Sequence, residues 1–106
     1  MSGKPNTGPR HRTPAQWLEH SFPIVRRRLL AYAHRLAGAL PPALDATPVD
    51  GEDLFEEAVL RVLRDPRFSR PMDLDELCRI LAGTCRYVAS EARRAHRRWL
   101  DGPGTG

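Results

Sequence analysis

Between Leu77 and Trp99 the residues Leu77, Leu81, Thr84, Val88, Ala92, Ala95 and Trp99 recur every three or four positions. At about 100° per residue they fall on one narrow stripe, the mark of a long amphipathic helix. Asp73 stands at its start with Glu76 three residues on, a capping box with Asp in place of Ser or Thr. On the far side Arg79, Arg86, Arg93 and Arg97 form a ridge, widened near its end by Arg94 and Arg98. From Leu77 to Arg98 six arginines meet a single acid, Glu91. A solvated helix face ordinarily mixes signs to gain i,i+4 pairs. This one does not, so it reads as a surface facing a polyanion, with a plain solvated face as the alternative.

The rest of the chain reads as a frame for that helix. Thr13-Pro14 places an N-cap before a proline at the first helical position, opening a short helix to about His20. Ser21 caps a restart in which Val25, Leu29, Tyr32, Ala33 and Leu36 share a face, ended by Gly38 and Pro41-Pro42. Arg26, Arg27, Arg28 and Arg35 flank it and read as solvated or as partners for the acids that follow. Leu40 to Val49 is a loop. Asp50 caps a further helix, Gly51 to Asp65, in which Leu54, Phe55, Ala58, Val59, Val62 and Leu63 form the expected buried face. Acids crowd its start, where the helix dipole favours negative charge; Glu56 and Glu57 lie beyond that first turn. Asp65-Pro66 stops the helix. No stretch alternates at period two.

The fold class is therefore all-α, a compact three- to four-helix bundle ending in a long basic helix. Residues 1–13, with Lys4, Arg10, His11 and Arg12 among Gly and Pro, read as a disordered basic arm; 14–100 as the helical domain; 101–106 as a disordered tail. With 106 residues the chain supports one modest core. No apolar run approaches the roughly 20 residues that span a bilayer, and no apolar leader opens the chain, so the expectation is a cytoplasmic protein with no membrane contact. The formal charge of +4 favours nucleic acid or an acidic partner. Cys78 and Cys85, seven apart on one helix, stand about 10.5 Å apart along its axis, too far for a disulfide. No histidine has ligand spacing to them, so no metal is expected. No nucleophile with a base, phosphate-binding glycine loop or dry carboxylate pair can be assembled. The chain reads as a binding module without a cofactor, not an enzyme.

Asp53-Leu54-Phe55-Glu56-Glu57-Ala58-Val59-Leu60-Arg61 resembles the pattern Asp-Leu-Val-Gln-Glu-Thr-Phe-Leu-Arg in region 2 of bacterial RNA polymerase sigma factors of the sigma-70 family, above all the small extracytoplasmic-function type. Leu29 to Gly38 looks like the family's preceding helix. Arg67-Phe68 and Glu91-Ala92-Arg93-Arg94 fall where it has Arg-Phe and Arg-Arg signatures. Glu56 stands where the family usually has Gln, and Ser90 where an acid is common. The resemblance covers about Phe22 to Arg98 and implies a transcription initiation protein. Asp53, Glu56, Glu57 and Arg61 would then face the clamp coiled coil of RNA polymerase core, and Arg86, Arg93, Arg94, Arg97 and Arg98 the minus-ten element of promoter DNA. An anti-sigma factor and a separate region 4-like protein are further implied partners. The alternatives are a polymerase- or anti-sigma-binding regulator that reads no promoter, and a small helical nucleic-acid-binding protein.

Overall fold

The computed structural model describes residues 10–39 and 50–101, the side chains of 96–101 excepted. Helix α1 spans Pro14–Gly38, α2 Gly51–Arg64 and α3 Leu74–Asp101, with a 3-10 turn at Pro66–Phe68 between the last two. Among the described residues there is no strand, and no helix is long and apolar enough to cross a membrane. Nine residues of the expected arm, the expected loop Leu40–Val49 and residues 102–106 lie outside this description.

Each helix starts at the cap its sequence marks. Gln16 N–H donates to Thr13 Oγ1 (3.2 Å) while Thr13 N–H donates to Gln16 Oε1 (3.0 Å). Asp50 and Asp53 close the same reciprocal box on α2, and Glu76 N–H donates to Asp73 Oδ1 at 2.7 Å on α3. The two expected pieces of α1 are a single helix bent at Ser21, whose φ of −136° and ψ of 29° leave the helical region. Pro23 explains the position of the bend: it has no N–H for the carbonyl four residues back, and its ring crowds that turn. Ser21 thus marks a kink and not a second N-terminus.

The basic arm was expected to run free through Thr13, and here the fold corrects it. Arg12 pairs with Met72 as an isolated antiparallel bridge, Arg12 N–H to Met72 O at 3.0 Å and Met72 N–H to Arg12 O at 2.9 Å. The Met72 carbonyl also accepts Trp17 Nε1–H at 2.7 Å, and the Arg12 guanidinium lies 5.1 Å from the Trp17 ring. At the other end α3 includes Asp101, one residue past the expected limit.

The core gathers Trp17, Val25, Leu29 and Ala33 of α1, Leu54, Phe55, Ala58 and Val62 of α2, Met72, and Leu77, Leu81, Cys85 and Ala89 of α3. The α3 stripe therefore runs through Cys85 and Ala89, rolled by about 40° from the expected line through Thr84 and Val88, which are half-buried. Leu63, expected inside, is 44% exposed: it lies about 100° round the helix from Val62, beyond the sector that α1 and α3 cover. Helices α1 and α2 run antiparallel, with the Phe22 and Phe55 ring centroids 5.8 Å apart and Gly51 against His34. Two of the α1 arginines find acids: Arg26 pairs with Glu52 (3.0 Å) and Arg28 with Asp75 (2.9 Å).

Gly51 is required by that close approach. A Cβ there would stand 2.4 Å from His34 Nδ1 and 2.7 Å from His34 Cα. Gly51→Ala should cost about 1–3 kcal/mol in denaturant unfolding, the range for overpacking. His34→Ala should restore only part of this, since the backbone clash persists; complete restoration would contradict the packing. Burial pushes the Cys85 thiol up to about 11. In a Cys78→Ser variant it should react with a disulfide reagent at pH 8 only as fast as the protein opens. Modification at the rate of a free thiol would show that α3 does not seat as described.

Candidate functional site

The outer side of α3 presents Arg79, Arg86, Arg93 and Arg94, all exposed. Arg97 and Arg98, expected to complete the DNA-facing set, have side chains outside the described ones. Arg86 Nη1–H donates to the Tyr32 hydroxyl at 3.1 Å. Arg94 and Arg61 each place a guanidinium 5.9 Å from the Tyr87 ring, which is itself 55% exposed. Among the described residues Arg79, Arg86, Arg93 and Arg94 make no ion pair.

The four residues expected to face a polymerase clamp divide into two pairs. Asp53 and Glu56 are exposed on the outer face of α2; Asp53 also closes the cap, with Asp50 N–H 3.5 Å from its Oδ2. Glu57 and Arg61 are turned toward α3. Arg61 Nε–H donates to Glu57 Oε2 at 2.9 Å, its Nη2 reaches Glu91 Oε1 at 2.7 Å, and Arg64 stands 4.0 Å from Glu57. The lone acid of the basic ridge is thus spent on a link between helices. Joining Asp53 and Glu56 on the outer face are Leu60 and Leu63, 49% and 44% exposed. Sequence reading missed both as surface residues. The available signal was angular: each lies well off the Leu54–Ala58–Val62 line, and isolated exposed leucines on an acidic face suit an apolar anchor with a charged rim.

A groove of about 520 Å³ opens between the end of α2, the 3-10 turn and the first half of α3. Arg61, Arg67 and Arg79 supply its cations and Phe68 and Tyr87 its aromatic faces. Arg67 stacks 5.3 Å from the Phe68 ring and is held by Asp65, whose carboxyl it keeps below the usual carboxylate range. Guanidiniums interleaved with aromatic rings can bind phosphates while stacking a planar base. From sequence Arg79 was read only as part of the basic ridge, Arg67-Phe68 only as part of the resemblance, and Tyr87 not at all, because only the fold brings the turn against α3. No group of His, Cys, Asp and Glu among the described residues is placed to hold a metal.

The hydrogen bond from Arg61 holds the Glu91 carboxyl below its ordinary value of 4.5. A carboxyl depressed by folding contributes stability that is fully present above its unfolded pKa and lost as pH falls through the folded one. The difference in melting temperature between wild type and Glu91→Gln should therefore be largest near neutrality and close as pH drops below about 4.5. A difference constant down to pH 3 would show that the link is not ionic.

Compared with known proteins, the chain matches no protein-family model, and neither a curated protein nor a solved structure matches it.

Proposed function

We propose that this chain is a sigma-factor-like transcription initiation protein, docking on the clamp coiled coil of RNA polymerase through the outer face of α2 and holding minus-ten promoter DNA against α3. The observation that carries the reading is the separation of charge on one small bundle. Asp53, Glu56, Leu60 and Leu63 make an acidic and apolar patch on α2, while Arg79, Arg86, Arg93 and Arg94 make a cationic row on α3 without an ion pair among the described residues. Two surfaces of opposite sign on different helices suit a protein that bridges a basic protein surface and a nucleic acid. The resemblance of Asp53–Arg61, Arg67-Phe68 and Glu91–Arg94 to sigma region 2 supplies the identity of the two partners. The groove bearing Phe68 and Tyr87 adds a place where an unstacked base fits beside the arginines.

In this reading Glu56 is the clamp-facing charge, because Glu57 and Arg61 are occupied with each other and with Glu91. Glu56→Lys should lower affinity for purified core polymerase by roughly 30-fold or more, the effect of spoiling one desolvated charge pair. Its thermal melt should match wild type. Glu57→Lys should leave polymerase binding near wild type and shift the melt only slightly, since its pair with Arg61 is partly exposed. Equal polymerase binding by wild type and Glu56→Lys, or no binding by either, rejects the docking. With docking established, transcription from a defined promoter template tests the DNA half.

A further inference from the structure

The arginines of α1 carry no part of the function proposed above, yet two of them face the same side of the bundle as the α3 row. Between α1 and α3 runs an open groove of about 320 Å³, walled by Arg28 and Tyr32 on one side and by Arg79 and Arg86 on the other, with Ala82 between. Arg35, one turn beyond Tyr32, stacks 5.7 Å from its ring. Arg86 donates to the Tyr32 hydroxyl, which leaves that hydroxyl's own proton free to donate outward. Asp75 neutralises Arg28 at one end of the groove. Among the described residues Arg35, Arg79 and Arg86 have no carboxylate partner.

Arg79 and Arg86 flank this groove, with Arg35 stacked on the Tyr32 ring beside it, and a polyanion laid along such a gathering of like charges is favoured there. We infer that this groove is a second phosphate site, which takes the sugar–phosphate backbone of a nucleic acid and extends the bound surface from α3 onto α1. The inference rests on the nucleic-acid half of the proposed function. Arg79 and Arg86, seven residues apart, stand about 10.5 Å apart along the axis. Guanidinium also fits phosphate oxygens two at a time, which ammonium does not. An acidic protein segment is the poorer occupant. Protein interfaces need an apolar anchor, and none of the exposed large hydrophobic residues, Phe22, Ile24, Leu60, Leu63 and Tyr87, lines this groove.

The test is affinity for a duplex and for a single-stranded oligonucleotide across a salt series, with wild type, Arg79→Gln, Arg35→Gln/Arg79→Gln, Arg93→Ala/Arg94→Ala, and a control of equal charge loss, Arg27→Gln/Arg64→Gln. Loss of two phosphate contacts should lower the log–log slope by about 1.8 on duplex and about 1.4 on single strands. At about 0.1 M salt this corresponds to a roughly 60-fold loss on duplex, alike for every sequence. The control should keep the wild-type slope, and circular dichroism melts of all five should coincide. If Arg35→Gln/Arg79→Gln binds no more weakly than Arg79→Gln alone while Arg93→Ala/Arg94→Ala is weakened, the groove inference falls and the α3 reading stands. If wild type binds neither oligonucleotide, both fall. An equal loss in the Arg27→Gln/Arg64→Gln control overturns the groove in favour of net charge. A poly-glutamate peptide that competes as well as an oligonucleotide of the same charge overturns the choice of a phosphate backbone.

Discussion

The arrangement depends on one buried carbonyl. Met72 O accepts from Arg12 N–H and from Trp17 Nε1–H, filling both of its lone pairs, while the Met72 side chain is fully buried. Each such bond contributes about 0.5–1.5 kcal/mol, and leaving the carbonyl unpaired would cost about 1–3 kcal/mol. The geometric effect is larger than the energy. These bonds tie the start of α1 to the start of α3, so the two helices set out side by side. Arg28 then comes beside Asp75, and Tyr32 beside Arg86. Without that starting point the arginines of the two helices would not share a groove.

The second organising contact is Arg61. It takes a carboxylate from its own helix and another from α3, and it covers the edge of Tyr87. Its guanidinium is held in charge by both acids, the Glu91 bond weighing most. One side chain therefore separates the two faces of the molecule. It withdraws Glu57 and Glu91 from the surface field, leaving Asp53 and Glu56 to give α2 its sign and the arginines to give α3 its own. Surface pairs of this exposure add little to stability. What this one sets is which charges stay unpaired.

The helical class, three of the helix starts and most of the core were legible because they depend on neighbours in sequence. Thr13-Pro14, Asp50 and Asp73 cap through residues three positions away, and the apolar spacing names Val25, Leu29, Leu54, Phe55, Leu77 and Leu81 directly. What depends on residues far apart was not. The Arg12–Met72 bridge joins positions with no shared pattern. The roll of α3 toward Cys85 and Ala89 follows from how closely small side chains let α2 approach. Leu63 reads as apolar in any window, and its angle off the Leu54–Ala58–Val62 line becomes decisive only once α1 and α3 are placed. Of the candidate site, the identity of the cations was legible and their companions were not: Tyr32, Phe68 and Tyr87 acquire meaning from helices that the sequence lists far from them.

Among the described residues the interior holds no polar or charged side chain, and no buried side-chain nitrogen or oxygen lacks a partner. Apart from the Trp17 bond to Met72 O, apolar packing fills the core, and no arginine takes part in it. Exchanging a surface guanidinium for another residue then leaves the packing indifferent, within the roughly 0.5 kcal/mol usual for such positions. The outside of this bundle is free to be rewritten while the inside stays as it is. A lineage built on it could change what it grips, one charge at a time, and never pass through an unfolded ancestor.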